Sequence, residues 1–176
     1  HNALNLATAA ICAKYLKIPE SKIKRAIGNF AGTKRRLEMA RQLRINGRRC
    51  IVIDDFGHHP TEIRATIATI KAAYPRQTLW TVFQPHTFSR TEALFNDFAK
   101  CFAQSDKTII LDIYASKRET GGKVHSQDLV QFIKSKNVFY KPDIAAASKF
   151  LKNKIKTRSI ILTLGASEVW GLVELL

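Results

Sequence analysis

Residues 48–60 read Arg-Arg-Cys-Ile-Val-Ile-Asp-Asp-Phe-Gly-His-His-Pro, and this stretch decides the fold. Its apolar run at residues 50–53 is rich in β-branched side chains and is typical of a buried strand. The run ends at two carboxylates. Pro60 suits the first position of a helix, because that position needs no backbone N–H donor. The stretch therefore predicts a strand that turns, through a polar loop, into a helix.

A hairpin is predicted immediately before this strand. Residues 37–45 alternate between apolar and polar side chains, and Asn46-Gly47 is the dipeptide typical of a tight turn between two strands. Farther upstream, apolar residues recur at helical spacing within residues 4–16 and again within residues 23–30. Two amphipathic helices are thus predicted to precede the hairpin.

Strands and helices alternate along the rest of the chain. Further strands are predicted at residues 79–83, 108–113, 138–140 and 160–164. Helices are predicted from Pro60, at residues 90–102, 127–133 and 144–151, and from Glu168. This alternation is typical of β-α-β units around a parallel sheet. The fold class is therefore α/β, an open, mainly parallel, Rossmann-like sheet with helices on both faces, preceded by two helices.

The composition is that of a globular protein. Of the 176 residues, 45% are hydrophobic and 24% are charged, which excludes a disordered or low-complexity chain. The longest apolar runs are too short to cross a bilayer, so we expect no membrane span. Three cysteines without a C-x-x-C pair predict reduced thiols in a cytoplasmic protein, with neither a disulfide nor a zinc site. The start His-Asn-Ala, without Met or a leader, suggests a piece of a longer protein.

The turn after the first long strand is a candidate ligand site, because such sheets bind ligands where strands end and helices begin. Asp54 and Asp55 can hold ribose hydroxyls or a metal ion. The imidazoles of His58 and His59 can hold an anion or a reacting group near the helix start. The alternative is that one carboxylate forms the turn and one imidazole caps the helix.

A second polar turn follows the next predicted strand. Ser89 and Glu92 have the spacing of a capping box, so we assign them to the start of the helix. His86 and Arg90 are not explained by capping. A cation in the first turn of a helix opposes the helix dipole unless it meets an anion, so both residues are candidates for ligand binding.

Positive charge is concentrated near the start of the chain. Lys and Arg number 29 against 14 Asp and Glu, a formal net charge of +15, and the dense cluster lies within residues 22–36. A basic nucleic-acid-binding module stays open on this ground, although the cluster shows neither aromatic stacking residues nor a clear recognition helix. Gly121-Gly122-Lys123 is not a P-loop, because the earlier glycine and the following Ser or Thr are absent.

Residues 54–62 together with residues 83–91 closely resemble two motifs of the Mur ligases. The likeness extends to residues 1–5, 32–38, 112–115 and 162–166, so collinear motifs span the chain. The resemblance implies that residues 1–34 are the last helices of a central ATP-binding domain. Residues 35–176 would be the C-terminal, amino-acid-binding, Rossmann-like domain. An N-terminal UDP-binding domain and a central domain with a P-loop would belong to the same parent chain.

The resemblance also implies a reaction, that of the ligases that join L-alanine to UDP-N-acetylmuramate in peptidoglycan synthesis. ATP, with Mg²⁺ bound mainly by the central domain, would phosphorylate the muramoyl carboxylate, and the alanine amine would then attack the acyl phosphate. This chain alone would be inactive, and neither nucleic acid nor a membrane would be a partner. The alternative within the family is the recycling ligase that joins a muropeptide to UDP-N-acetylmuramate. The basic nucleic-acid-binding module is the alternative of another class.

Position by position, the resemblance implies roles for single residues. Asn2 and Asn5 would border the adenine, Arg36 would reach the ATP phosphates, and Asp55 would bind the ribose hydroxyls. The amino-acid pocket is implied at Phe56, His58, His86 and Arg90, with Arg90 suited to the alanine carboxylate by its charge and paired donors. Arg36 and His58 are the implied catalytic residues, and no metal ligand is implied. Thr87 stands where many relatives carry Arg, so Arg90 is expected to act without a second pocket cation.

Overall fold

The chain consists of two compact units, His1–Thr33 and Lys34–Leu176, in a computed structural model that describes residues 2–30, 32–116, 119, 121–133 and 135–176. The first unit contains α1 (Asn2–Tyr15) and α2 (Glu20–Gly28), which pack against each other. Both helices agree with the prediction from apolar spacing.

The second unit is built around a six-stranded sheet in the order β1-β2-β6-β3-β4-β5. Its strands are β1 (Glu38–Ile45), β2 (Arg48–Asp55), β3 (Thr78–Phe83), β4 (Lys107–Ile110), β5 (Val138–Tyr140) and β6 (Ser159–Leu164). The neighbouring pairs from β2 to β5 are parallel, and β1 is antiparallel to β2 through the turn at Asn46 and Gly47. The predicted open, mainly parallel sheet is confirmed.

Helices cover both faces of the sheet. They are α3 (Pro60–Ala73), α4 (Phe88–Ala93), α5 (Phe95–Cys101), α6 (Ser126–Ile133), α7 (Ile144–Lys154), a 3-10 turn (Glu168–Gly171) and α8 (Leu172–Leu175). Successive strand residues enter opposite cores, as the period of two requires. In β2, Ile53 packs with Ile63 of α3, whereas Val52 packs with Leu151 of α7.

Three predicted elements differ from the structure. The last helix, predicted from Glu168, begins as a 3-10 turn and becomes α-helical only at Leu172. The helix predicted at residues 90–102 is two helices, because the backbone leaves helical geometry at Leu94, with φ of −111° and ψ of 18°. The strand predicted at residues 108–113 ends at Ile110. Beyond it, the chain pairs with the residues that follow β3, where His86 and Tyr114 form an isolated parallel bridge. Tertiary pairing therefore decides where this strand stops.

Three further observations concern membranes, thiols and metals. Within the described ranges, no helix is both long enough and apolar enough to cross a bilayer. All three cysteines are free thiols, with Cys50 and Cys101 buried and Cys12 exposed. Burial raises the pKa of the Cys50 thiol. The part of the chain that the structure describes places no group of three or more His, Cys, Asp or Glu to hold a metal ion.

Candidate active site at the carboxyl edge of the sheet

The candidate site lies where β2, β6, β3 and β4 all end. Parallel strands bring their carboxyl ends to one edge of the sheet, so the polar turns that follow them meet there. Because β1 is antiparallel, the beginning of β1 lies at this edge too, with Glu38 opposite Asp54 in the ladder. The basic segment before β1 therefore joins the polar turns that the sequence analysis selected.

Arg35 ties three of these segments together. Its Nε donates to Asp54 Oδ2 at 3.0 Å, and its Nη2 donates to the backbone oxygens of Gly165 at 2.6 Å and Ser167 at 3.3 Å. Asp54 is only 3% exposed, so this ion pair neutralises a buried carboxylate. Sequence reasoning placed Arg35 in a basic cluster and missed this role, because nothing local distinguishes it from its neighbours.

The side chain of Arg36 has different surroundings from that of Arg35, although the two residues are adjacent. Arg35 and Leu37 have left-handed φ values of +58° and +52°, and backbone bonds hold both. The amide of Phe56 donates to the Arg35 oxygen at 2.7 Å, and the amide of Leu37 donates to Asp55 Oδ2 at 2.9 Å. Arg36 is half-buried, with its guanidinium 5.7 Å from the centre of the Phe56 ring. Its charge acts on Asp55 and Glu62, but its side chain makes no ion pair or hydrogen bond with any described residue, so its donors are available to an anion.

Asp55 is buried, at 1% exposure, and bonded within the protein. Its Oδ1 accepts from the Gly57 amide at 2.8 Å and from Thr66 Oγ1 at 3.4 Å, and its Oδ2 accepts from Leu37. Burial raises the pKa of Asp55, against the opposing effect of these bonds and of Arg36. The geometry shows a carboxylate that fixes the surrounding loop and has almost no surface left for a ribose. The predicted ribose contact stays a prediction.

The two imidazoles after β2 have separate roles. His59 is the N-cap of α3, where its Nδ1 accepts from the Thr61 amide at 3.3 Å. Glu62 Oε2 in turn accepts from the amides of His58 and His59 at 3.1 and 3.2 Å. Burial acts to raise the pKa of Glu62, but these two amides together with the charges of His58 and Arg36 outweigh it and lower the pKa. One imidazole is thus a cap, as the alternative considered above allowed.

His58, by contrast, lies over the edge of the sheet. Its Nδ1 is 3.1 Å from the backbone oxygen of Phe56, and its ring meets the Phe56 ring edge-on at 5.4 Å. With Nδ1–H donating to that carbonyl, Nε2 carries the lone pair and is the atom that can accept a proton. The His58 ring lies 6.5 Å from the ring of His86.

His86 and Arg90 continue the line of side chains away from Phe56. The His86 ring stacks on Tyr114 at 5.6 Å, and its buried Nδ1 has no hydrogen-bond partner among the described residues. Burial, followed by the charges of Arg90 and His58, lowers the pKa of His86 against the opposing charge of Glu119. Arg90 is half-buried, and its side chain makes no hydrogen bond or ion pair with the described part of the chain. It is the second guanidinium at this edge whose donors are open to a ligand.

The predicted capping box at Ser89 and Glu92 is wrong. The helix α4 begins at Phe88, so Ser89 lies inside it and is not its N-cap. Instead, Glu119 accepts from the amides of Phe88 at 2.8 Å and Ser89 at 3.2 Å, and from Ser89 Oγ. Glu92 is exposed. Glu119, about thirty positions away in the chain, therefore supplies the capping carboxylate that the local spacing assigned to Glu92.

The structure brings together most of the predicted site. Arg36, Phe56, His58 and His86 follow one another along the edge at 5.4–6.5 Å, and the charge of Arg90 acts on His86; these five residues are called the site strip below. Asn5 is an exposed residue of α1 in the first unit, and the side chain of Asn2 lies outside the described residues. The predicted adenine contacts of these two asparagines stay predictions.

Comparison with known proteins places this architecture in a family. The sequence model described as "Mur ligase, glutamate ligase domain" matches residues 35–167. The chain belongs to the Mur ligase family. This finding confirms the resemblance inferred from the motifs, and the matched segment contains every residue of the site strip.

The relatives of this Mur ligase chain are similar along nearly its whole length. It is 37% identical over 179 residues to the UDP-N-acetylmuramate–L-alanine ligase of Syntrophotalea carbinolica, covering 100% of this chain and 38% of that protein. It is 39% identical over 174 residues to the ligase of the same name from Solidesulfovibrio magneticus, covering 97% and 37%. The chain thus spans less than two fifths of the length of these curated relatives.

Solved structures show the same fold. The UDP-N-acetylmuramate–alanine ligase of Thermotoga maritima superposes with a TM-score of 0.75 at 22% identity, covering 99% of this chain and 36% of that one. The murein peptide ligase of Psychrobacter arcticus superposes with a TM-score of 0.71 at 21% identity, covering 98% and 35%. Two family members with different names therefore share this fold, and the fold does not choose between them.

Proposed function

We propose that this chain is the amino-acid-binding C-terminal part of an ATP-dependent ligase that joins L-alanine to UDP-N-acetylmuramate. The observation that carries the proposal is the pair of half-buried guanidiniums, Arg36 and Arg90, which make no hydrogen bond or ion pair with the described residues and lie at the two ends of the site strip. A ligase of this kind must hold two anions, a transferring phosphoryl group and the carboxylate of the incoming amino acid. Similarity to ligases of that name over almost the entire chain supports the choice of substrates.

The proposed reaction has two steps. The muramoyl carboxylate first attacks the γ-phosphorus of ATP, which gives an acyl phosphate and releases ADP. The amine of L-alanine then attacks the acyl carbon. The new C–N bond forms, the C–O bond to phosphate breaks with its electron pair leaving on phosphate, and the amine loses a proton. Catalysis of both steps depends mainly on positioning and on charge stabilisation.

Each member of the site strip has a proposed task in this reaction. Arg36 neutralises charge on the phosphoryl oxygens, and Arg90 pairs with the alanine carboxylate through its parallel donors. His58 Nε2 accepts the proton that the attacking amine loses. Burial, followed by the charge of Arg90, lowers the pKa of His86, which disfavours a second positive charge beside Arg90. Phe56 supports the guanidinium of Arg36 and the ring of His58.

The residues at this edge fit ATP but do not fit a bound Mg²⁺ ion. Arg36 fits a phosphate chain, and we propose that Asn2 and Asn5 border the adenine and that Asp55 lies near the ribose. Asp54 and Asp55 do not fit a resident Mg²⁺ ion, because both are buried and already bonded within the protein. We propose that the parent chain holds the metal ion elsewhere, and no step described here depends on it.

The organisation of the parent protein is part of the same proposal. Residues 1–34 would be the last helices of its central ATP-binding domain, and residues 35–176 would be the entire C-terminal domain. Other parts of the parent would bind the UDP moiety and provide a P-loop. This chain alone would then be inactive, and its partners would be those domains and the two substrates, in the cytoplasm, without nucleic acid or membrane.

A phosphate-release assay on the full-length parent tests the proposal. Phosphate release should require ATP, UDP-N-acetylmuramate and L-alanine together. Arg90→Ala should raise the KM for L-alanine by roughly tenfold to a hundredfold, the value of a charge-assisted hydrogen bond. Arg64→Ala, which removes an exposed arginine of α3, is the matched control. Release without any dependence on L-alanine would contradict the proposal.

The recycling ligase is the second candidate, since the murein peptide ligase shares the fold. The two candidate ligases differ in the substrate that provides the attacking amine. Phosphate release that is absent with L-alanine but present with a muramyl tripeptide would decide for it.

A further inference from the structure

The long loop between β4 and α6 is fastened to the start of α4, the helix that carries Arg90. Its residue Glu119 accepts hydrogen bonds from the amides of Phe88 and Ser89 and from the Ser89 hydroxyl. These are three donors at the first turn of one helix, all satisfied by a single carboxylate. Since no side chain of the N-cap residue, Thr87, bonds to the helix, Glu119 replaces the usual local cap.

A second contact brings the same loop against Phe88. A Cβ atom added to Gly122 would lie 2.4 Å from the Cβ of Phe88, so only glycine permits this approach. The ring of His125, still farther along the loop, meets the Phe88 ring edge-on at 6.2 Å. Glu119, Gly122 and His125 thus approach the same two residues from the loop side.

The helix start that these contacts hold is strained. Thr87 has φ of +70° and ψ of 139°, a conformation that β-branched residues rarely adopt. Such a conformation persists only where surrounding contacts enforce it. The amide of Thr87 donates to the Tyr114 oxygen at 2.9 Å, and the hydroxyl of Thr91 donates to the Thr87 oxygen at 2.8 Å. Glu119 supplies three further hydrogen bonds, at the two residues that follow Thr87.

The strained turn connects the two site residues on the amino-acid side. His86 lies directly before Thr87 and stacks on Tyr114, and Arg90 lies three residues after it. The directions of both side chains are therefore set by the geometry of residues 87–89. We propose that Glu119 is a positioning residue that fixes the start of α4 and so aims Arg90 and His86 at the amino-acid substrate.

This inference rests on the proposed function for the identity of the substrate, and it goes further by assigning a role to Glu119. Glu119 touches neither the reacting atoms nor the nucleotide side of the site strip in this arrangement. Its loss should therefore weaken the use of the amino acid while the use of ATP is preserved. A residue that only stabilised the fold would reduce both.

The test compares Glu119→Ala and Glu119→Gln with Glu92→Ala in the full-length parent. Glu92 is the matched control, because it is an exposed carboxylate on α4, the helix whose start Glu119 holds. Glu119→Ala should raise the KM for L-alanine about tenfold and leave the KM for ATP within about twofold, since small misplacements of substrate-orienting groups are costly. Glu119→Gln keeps one acceptor oxygen and should recover part of the loss. Glu92→Ala should match the wild type.

Hydrogen exchange measured by mass spectrometry on the same proteins provides a readout that does not need turnover. The amides of residues 85–94 should exchange faster in Glu119→Ala than in the wild type or in Glu92→Ala. Unchanged exchange there, or equal rises in both KM values, would overturn the positioning role. The two proposals can fail separately. If the wild-type parent does not use L-alanine, but residues 85–94 still exchange faster in Glu119→Ala than in the wild type, the proposed function is refuted and the role of Glu119 in fixing α4 is retained.

Discussion

Replacing Asp55 with alanine tests whether this carboxylate binds the neighbouring loop amides or contacts the nucleotide. Its two oxygens accept from the amides of Gly57 at 2.8 Å and Leu37 at 2.9 Å, and the residue is 1% exposed. Alanine would leave both amides without an acceptor. A buried donor left unsatisfied costs about 1–3 kcal/mol, so the two together set an upper range of about 2–6 kcal/mol.

Part of this cost is offset by relief from burying a charge. Burial raises the pKa of Asp55, which means that the ionised carboxylate is itself unfavourable in the folded protein. We therefore expect a net loss near the lower end of the range, about 2–3 kcal/mol. For a domain of this size, that loss lowers the Tm by about 4–12 °C.

Thermal unfolding of the chain, followed by circular dichroism, measures the effect, and ATP affinity is measured on the full-length parent. Asp97→Ala, which removes an exposed carboxylate from α5, is the control and should change the Tm little. A Tm close to that of the wild type, combined with a large loss of ATP affinity, would refute the reasoning from buried amides. It would then place Asp55 on the ribose, as the family resemblance implies.

Four further predictions concern the same edge. Arg35→Ala should destabilise the protein by roughly 3 kcal/mol in a denaturant titration, because it leaves the carboxylate of Asp54 buried without its ion-pair partner. Arg36→Ala should cost much less stability, because Arg36 has no ion pair with the described residues, and should lower turnover roughly tenfold to a hundredfold. Gly165→Ala should destabilise by about 1–3 kcal/mol in the same titration, because φ is +146° and its Cβ would lie 2.9 Å from the Gln84 oxygen. Glu62 has a lowered pKa in the folded state, so its stabilising effect is present above the ordinary glutamate pKa and is lost as pH falls through the lowered value. The Tm difference between wild type and Glu62→Gln should therefore shrink over that acidic range. A Tm difference that stays constant with pH would contradict this prediction.

Hydrophobic periodicity was sufficient to predict the order and type of the elements. The apolar run at residues 50–53, the Asn46-Gly47 turn and the proline at position 60 correctly predicted β1, β2 and α3. These signals depend on local sequence, and they fail where tertiary contacts dominate. The early end of β4 at Ile110 occurs where the chain begins to pair with the residues after β3. The break at Leu94 occurs at a side chain that packs against the core.

The candidate site was predictable as a location but not as a set of contacts. The rule that ligands bind at the carboxyl ends of parallel strands, together with the family resemblance, selected the residues of the site strip. The partners of each charged side chain were not predictable, because they come from distant parts of the chain. Arg35 meets the oxygens of Gly165 and Ser167, and Glu119 takes the place expected of Glu92.

The contrast between Arg35 and Arg36 shows how charge is divided at this edge. Arg35 is compensated by Asp54, whereas Arg36 and Arg90 retain their charge for the substrates. Between them lie the aromatic ring of Phe56 and the imidazoles of His58 and His86. On the proposed function the phosphoryl group and the alanine carboxylate neutralise these two guanidiniums, because each anion pairs with one of them. The two cations then position the substrates, and His58 Nε2 between them is the group that takes the proton lost by the attacking amine.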